Sequence, residues 1–286
     1  FESKTNDNFD DYVHLKYYDE KINNLIINMK AEDMIYDRVV VTANDPSSIK
    51  EVIQQMIDCN ANTSLVYDQD NNFVGIFDAM DVVRFILSSN SNNLNISNAV
   101  KKSILVSNNT KVSEVVKYLK NGMKYIAYEN ETQHNIISQG SIIRYVFERI
   151  DESVLSLPIG DFKQPIEMIS YSSNNNAKNA FALMSAYSIM CLPIVNNDKK
   201  IVSVISATDA LYAVQNLTSL DWNVLDYLKE CRFISNGLNG RDVDTVITCQ
   251  MVDNIRDILK LMLEEKIHNI FIVNDENKLL NVVTFT

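Results

Sequence analysis

The chain has 286 residues, a formal net charge of −11 and 46% hydrophobic content. It can bury two ordinary cores, and its acidity argues against a broad surface for nucleic acid or an anionic membrane. No apolar run reaches the roughly 20 residues of a membrane helix, and the opening FESKTNDNFDDY is not a signal peptide.

Residues 1–12 are acidic and polar, an end that is mobile or held by a partner. From His14 to Met29 apolar residues recur at helical steps, in a helix that packs on the first module or docks on another protein. After this extension of residues 1–30, a strand over Arg38–Thr42 leads through the turn Ala43–Ser48 into a helix. Its apolar stripe is Ile49, Val52, Ile53, Met56 and Ile57. A strand over Thr63–Asp68, a turn at Gln69–Asn72 and a strand over Phe73–Phe77 follow. The corner Asp78-Ala79-Met80-Asp81 then opens a closing helix to about Ser88, where an Asp can accept the free amides of the first turn.

This order of strand, helix, strand, strand, helix returns along the chain. Unit two has strands at Ile104–Val106, Tyr125–Tyr128 and Ile136–Ile137, a helix through Val112 to Leu119, and a helix over Ile142–Ile150. Unit three has strands at Met168–Ile169, Cys191–Val195 and Ile201–Ile205, with helices over Ala177–Ser188 and Asp209–Leu217. Unit four has Thr245–Ile247, a helix through Ile255 to Met262, then Asn269–Val273 and Leu280–Phe285. Its closing helix is missing, so the chain is cut short there or ends unusually. Trp222 falls in a predicted helix over Leu220–Leu228 and reads as core or interface packing ahead of base stacking; His14 and His134 read as surface residues. The stretch Asp151–Pro165 is the best boundary. It gives a module over 31–150 (units 31–90 and 96–150) and another over 151–286 (units 160–218 and 232–286). Repeats of this kind cannot bury their faces singly and should pair, one with two and three with four. The four cysteines, Cys59, Cys191, Cys231 and Cys249, lack CxxC-like spacing and read as reduced core or near-core thiols, not as a metal cluster.

Four β-α-β-β-α units, closing on a hydrophobic strand, a Ser/Thr/Asp corner and a helix-opening Asp, resemble the cystathionine β-synthase (CBS) domain family. Four in one chain with little else look most like the γ regulatory subunits of AMP-activated protein kinase (AMPK). The resemblance implies an α/β fold of four tandem CBS units, paired into two Bateman modules that form a flat disc. It also implies adenine nucleotide (AMP, ADP or ATP) in clefts between paired units. There the corner hydroxyl and the following Asp hold the nucleotide, the Asp accepting the ribose hydroxyls, and a His or Arg before the middle strand meets the phosphates. Carried over, the ribose Asp falls on Asp81 and Asp209, but on Ser141 in unit two. The corner hydroxyl falls on Ser138, Ser206 and Thr284, while Asp78 in unit one would repel phosphate. The phosphate contacts fall on His268 and on Lys124; units one and three offer Asn60–Asn62 and Tyr187-Ser188, without a cation. With so few cations the pull on a di- or triphosphate is weak. At most one or two sites are expected, the best combining Asp209 or Asp81 with His268 or Lys124.

Each of these residues has a plain structural reading as well. Asp81 and Asp209 can be helix caps worth about 1 kcal/mol, His268 a hydrogen-bonded structural histidine, and Ser138, Ser206 and Thr284 simple corner residues. No GxxxxGK, GxSxG, HExxH or paired Cys/His set is present, so an enzyme is not expected. The resemblance implies a non-catalytic, cytoplasmic regulatory subunit without a metal. It would bind adenine nucleotide and relay its presence to other protein chains, kinase-type or belonging to a large assembly. The competing reading is a CBS-repeat scaffold that has lost its ligands.

Overall fold

The computed structural model describes residues 24, 29–36, 39–88, 95–131, 134–235 and 246–285. Apart from Asn24 and Met29, the helix predicted over His14–Met29 lies outside them, as do Arg38, Thr245 and Thr286.

Unit one consists of β1 (Val41–Asn44), α1 (Ile49–Asp58), β2 (Thr63–Tyr67), β3 (Phe73–Asp78) and α2 (Ala79–Leu87). Unit two has β4 (Leu105–Val106), α3 (Val112–Lys120), β5 (Tyr125–Glu129), β6 (His134–Ser138) and α4 (Gln139–Phe147). After α5 (Glu152–Leu155) comes unit three: β7 (Tyr171–Ser172), α6 (Ala177–Tyr187), β8 (Cys191–Val195) and β9 (Ile201–Ser206). A 3-10 turn at Ala207–Asp209 and α7 (Ala210–Ala213) complete it. Then α8 (Val224–Ser235) leads to unit four, with β10 (Thr248–Cys249), α9 (Ile255–Glu264), β11 (Asn269–Val273) and β12 (Leu279–Thr284). Each unit owns a three-stranded sheet whose first strand runs parallel to the second and whose second runs antiparallel to the third.

Local chemistry repeats with the units. In three hairpins the side chain of Asp68, Asn196 or Asn274 accepts the amides two and four residues on, at 2.8–3.1 Å. Asn71, Lys199 and Asn277 then take φ of 65°, 62° and 63°. The first helix of every unit ends on a left-handed residue: Asn60, Gly122, Ser188 or Lys266, with φ of 50°, 93°, 55° and 54°. The next amide returns to the carbonyl five residues back (Ala61 to Met56, Met123 to Tyr118, Ile189 to Met184, Ile267 to Met262), which is a Schellman turn.

The first strand of each unit starts later than the sequence reading has it: β4 keeps two of the three predicted residues and β1 two of five, while β7 and β10 share none. It pairs through residues such as Asn44, Ser172 and Thr248. The apolar residues predicted to form it, among them Val40, Ile104, Met168 and Val246, instead fill clusters beside the sheets. Likewise α4 begins at Gln139, and the predicted helix over Asp209–Leu217 is only the 3-10 turn plus α7. Trp222 lies ahead of α8, not inside it, and is 40% exposed.

Units one and two meet sheet to sheet through Leu65, Tyr67, Ile76, Ala127 and Ile136, and units three and four through Ile201, Phe271 and Val273. On the helical side, Val82, Val83 and Phe85 of α2 share a core with Phe181 of α6 and Leu211 of α7. Helix α4 packs on α9. The four units thus close a ring in which each touches two others. Covering segments cross between partners. Met29, Ala31 and Met34 sit in the core of unit two beside Val106 and Val112, although the sequence reading put Met29 at the end of the N-terminal extension and the other two in unit one. Ile159, ahead of unit three, packs with Cys249 and Ile258 of unit four. In return the amide of Ile96 donates to Ser47 of unit one, and that of Val224 to Asn175 of unit three.

His134 is exposed, as the sequence reading has it, but it has a partner. Its Nδ1 lies 2.7 Å from the Tyr67 hydroxyl across the seam of units one and two, and burial pushes that phenol up to about 12. Of the thiols, Cys59 is exposed, against expectation, because it falls on the polar end of α1. Burial first and nearby carboxylates second push Cys191 and Cys249 up to about 12, and Cys231 upward as well. Alkylation at pH 8 should therefore modify Cys59 first, the others following only on unfolding; a mass-spectrometric time course reads this out. Gly75 gives a second test. A Cβ there would meet the Lys101 carbonyl oxygen at 2.2 Å and Val100 Cγ1 at 2.6 Å. Backbone cannot step aside cheaply, so Gly75→Ala should lose about 1–3 kcal/mol in urea denaturation.

Candidate functional site

Three corners share one construction. In unit one Asp78 is the cap, accepting Met80 N at 2.8 Å and Asp81 N at 3.0 Å, while Asp81 Oδ2 accepts Asp78 N at 3.0 Å. In unit two Ser138 and Ser141 make the same exchange with hydroxyls at 3.3–3.4 Å. In unit three Asp209 Oδ2 accepts both the amide and the hydroxyl of Ser206, each at 2.7 Å. These are capping boxes, with the functional candidate as the third residue of the turn.

A cavity of about 640 Å³ opens where the four units meet, and an arm of about 220 Å³ shares its central wall. Asn60 and Ala61 come from unit one, Ser141 and Arg144 from unit two, and Asp209 and Tyr212 from unit three. Glu264, Glu265, Lys266 and His268 come from unit four, while Arg232 reaches in from α8. The arm adds Lys124, Tyr125, Cys191 and Thr284. Ser138, Ser206 and His268 lie on the shared wall. The geometry thus brings six of the seven candidates, Ser138, Ser206, Asp209, His268, Thr284 and Lys124, to one place.

Asp81 is the exception, lining neither part. Its Oδ1 is 2.7 Å from the Arg84 guanidinium and 3.1 Å from Lys101 Nζ, and Lys101 also reaches Asp78 at 3.4 Å. Burial, then the Asp78 charge, raises its pKa. Lys124 feels the same cluster: burial lowers its pKa while the Asp78 carboxylate opposes the shift. A carboxylate offers about four lone-pair sites, and at Asp81 most are taken. Asp209 is placed differently. Two bonds hold Oδ2, the Tyr227 hydroxyl fixes its backbone carbonyl at 2.6 Å, and Oδ1 stands 3.8 Å from Arg232. Asp209 lines the cavity, and Oδ1, with that one longer contact, retains acceptor capacity.

The shortage of cations expected from the sequence does not hold here. Arg144, Arg232 and Lys266 join Lys124 on the cavity wall, from positions other than the one before the middle strand. Arg144 sits one helical turn past Ser141, as Arg84 does past Asp81, and that spacing was readable. Arg232 comes from outside the repeats and left no such signal. Among the described residues no group of three His, Cys, Asp or Glu could hold a metal ion, and no helix is long and apolar enough to cross a membrane.

The family model of the CBS domain matches residues 31–88, 159–216 and 241–286, more than half of the sequence, and the chain belongs to that family. Unit two lies outside the matched segments yet has the same element order. Among solved structures, protein MJ1225 of Methanocaldococcus jannaschii, described as a candidate archaeal homologue of the AMPK γ subunit, superposes with a TM-score of 0.73. It is 17% identical, over 90% of this chain and 97% of that one. A conserved protein of Pyrococcus horikoshii gives 0.52 at 15% identity, over 90% and 96%. Likeness at this identity shows the fold. No curated protein sequence matches.

Lys266 holds a left-handed backbone on the cavity wall, which costs a non-glycine residue about 1–2 kcal/mol. Lys266→Gly should raise stability by about 0.5–1 kcal/mol after the added unfolded-state entropy, as seen in urea titration.

Proposed function

We propose that this CBS protein is a non-catalytic regulatory subunit that binds an adenine nucleotide in the cavity where its units meet, and that occupancy is passed to partner chains. The observation that carries the reading is the Asp209 corner. A buried carboxylate, fixed by its own cap and by Tyr227, keeps one oxygen toward a cavity walled by four cationic side chains. Asp209 would accept the ribose hydroxyls, and His268, Lys266 and Arg232 would face the phosphates, where charge-assisted donors are needed. Asp81 serves instead as the hub of an ionic clasp with Arg84 and Lys101.

The clasp is also what favours the second reading, a scaffold without nucleotide, because one of the two Asp corners is closed by the protein's own cations. Calorimetric titration with AMP, ADP and ATP separates the two. The regulatory reading expects binding, weakened by about 1–3 kcal/mol in Asp209→Ala and unchanged in Asp81→Asn. Absence of heat and of thermal shift with all three nucleotides supports the scaffold.

A further inference from the structure

Unit three and its crossing segments repeat unit one at a fixed offset. The bond from Ile96 to Ser47 returns as that from Val224 to Asn175, and the bond from Ala31 to Thr110 as that from Ile159 to Asp253. Carried upstream, the offset lays residues 14–29 on residues 142–157, which hold most of α4 and all of α5. The side chains agree: Lys16, Tyr17, Glu20, Lys21 and Ile22 fall on Arg144, Tyr145, Glu148, Arg149 and Ile150. Asn24 is helical and exposed, like its equivalent Glu152 at the start of α5.

The closing helices show what such a segment could cover. Helix α2 packs on α6 and α7, and its Val82, Val83, Phe85 and Ile86 are buried. Their equivalents on α4, Ile142, Ile143, Tyr145 and Val146, are as apolar but only half-buried. Helix α9 packs on α4 as α6 does on α2, yet among the described residues no helix follows β12 to play the part of α7. Ile142 and Tyr145 join the core of unit two beside Met34, which leaves Ile143 and Val146 for the side that α7 covers on α2. Unit four shows the same gap: Phe162, the equivalent of the fully buried Met34, is 39% exposed. An apolar helix face beside a missing layer fits an amphipathic helix.

We infer that residues 14–28 of this chain are the helix that completes unit four, lying on α4 and over Phe162 in the place that α7 holds against α2. The start of the chain then closes the ring. Leu15 and Tyr18, the equivalents of Ile143 and Val146, meet α4, while His14 and Tyr17 turn into unit four as Ile142 and Tyr145 turn into unit two. The anchor is already present. Helices α4 and α5 lead from unit two to Leu157, whose carbonyl accepts the Ile255 amide in unit four; Met29 accepts the Val112 amide in unit two in the same way.

Hydrogen exchange of the full chain, read by mass spectrometry, tests this placement. The samples are the wild type, the double variant Leu15→Asp/Tyr18→Asp and the control Glu20→Gln, whose equivalent Glu148 is exposed. In the double variant the amides of α4 and of residues 159–163 should exchange about tenfold faster or more, while those of α2 and α7 keep their wild-type rates. The control should match the wild type throughout. Exchange in α4 that is indifferent to the double variant overturns the placement and leaves the helix to another protein chain. Light scattering on the same samples covers a second occupant: protection of α4 that appears only in a dimer seats the helix on a second copy and overturns closure within one chain. Should the double variant unfold, Ile143→Ala probes the contact from the other side. It should speed exchange over residues 14–28 and spare α2; no change there overturns the placement as well.

Discussion

Three corners of this molecule turn on one bond, in which the third residue of a turn reaches back to the amide that precedes it. The residue making that bond also stands at the junction between units, so a structural and a chemical demand fall on one side chain. Any acceptor that reaches the amide meets the first demand, as Glu51 does at the start of α1. What it has left over decides the second. Asp209 closes its box with one oxygen and keeps the other for the cavity. Asp81 closes the same box, but its remaining oxygen is taken by Arg84 and Lys101. Ser141 closes it with a hydroxyl and leaves the corner neutral. One backbone design therefore produces an open acidic corner, a closed one and an uncharged one.

The parts legible in the sequence are those that a short window contains. The stripe Ile49, Val52, Ile53, Met56 and Ile57 predicts α1, and each of these residues is buried. Asn196 and Asn274 announce hairpin turns because their side chains bind amides within four residues. The first strands were legible only in part: β4 lies within the predicted Ile104–Val106, but β7 and β10 fall outside their predicted residues. Two paired residues carry no alternation, and the apolar neighbours that looked like strands fill the junctions instead. The candidate site was half legible. The corner residues follow a local pattern, but Arg232 comes from a helix outside the repeats. That four units contribute to one cavity is a property of the ring and not of any segment.

The chain is strongly acidic, yet Lys124, Arg144, Arg232 and Lys266 converge on one open cavity. Among the described residues the acidic side chains on that wall are Asp209, Glu264 and Glu265. Lys266 and both glutamates are exposed, while Lys124, Arg144 and Arg232 are half-buried, where charges act over a lower effective dielectric than in bulk water. Placement here outweighs net charge in deciding what the molecule attracts.

The crossing segments have a consequence for how the molecule assembles. The stretch holding Met29, Ala31 and Met34 precedes unit one yet seals unit two, and the stretch around Ile96 lies between them and caps unit one. Neither unit can finish its interior until its neighbour's strand of chain has been threaded across. The pair is thus the smallest piece that can become watertight, and a severed unit would leave two interiors bare.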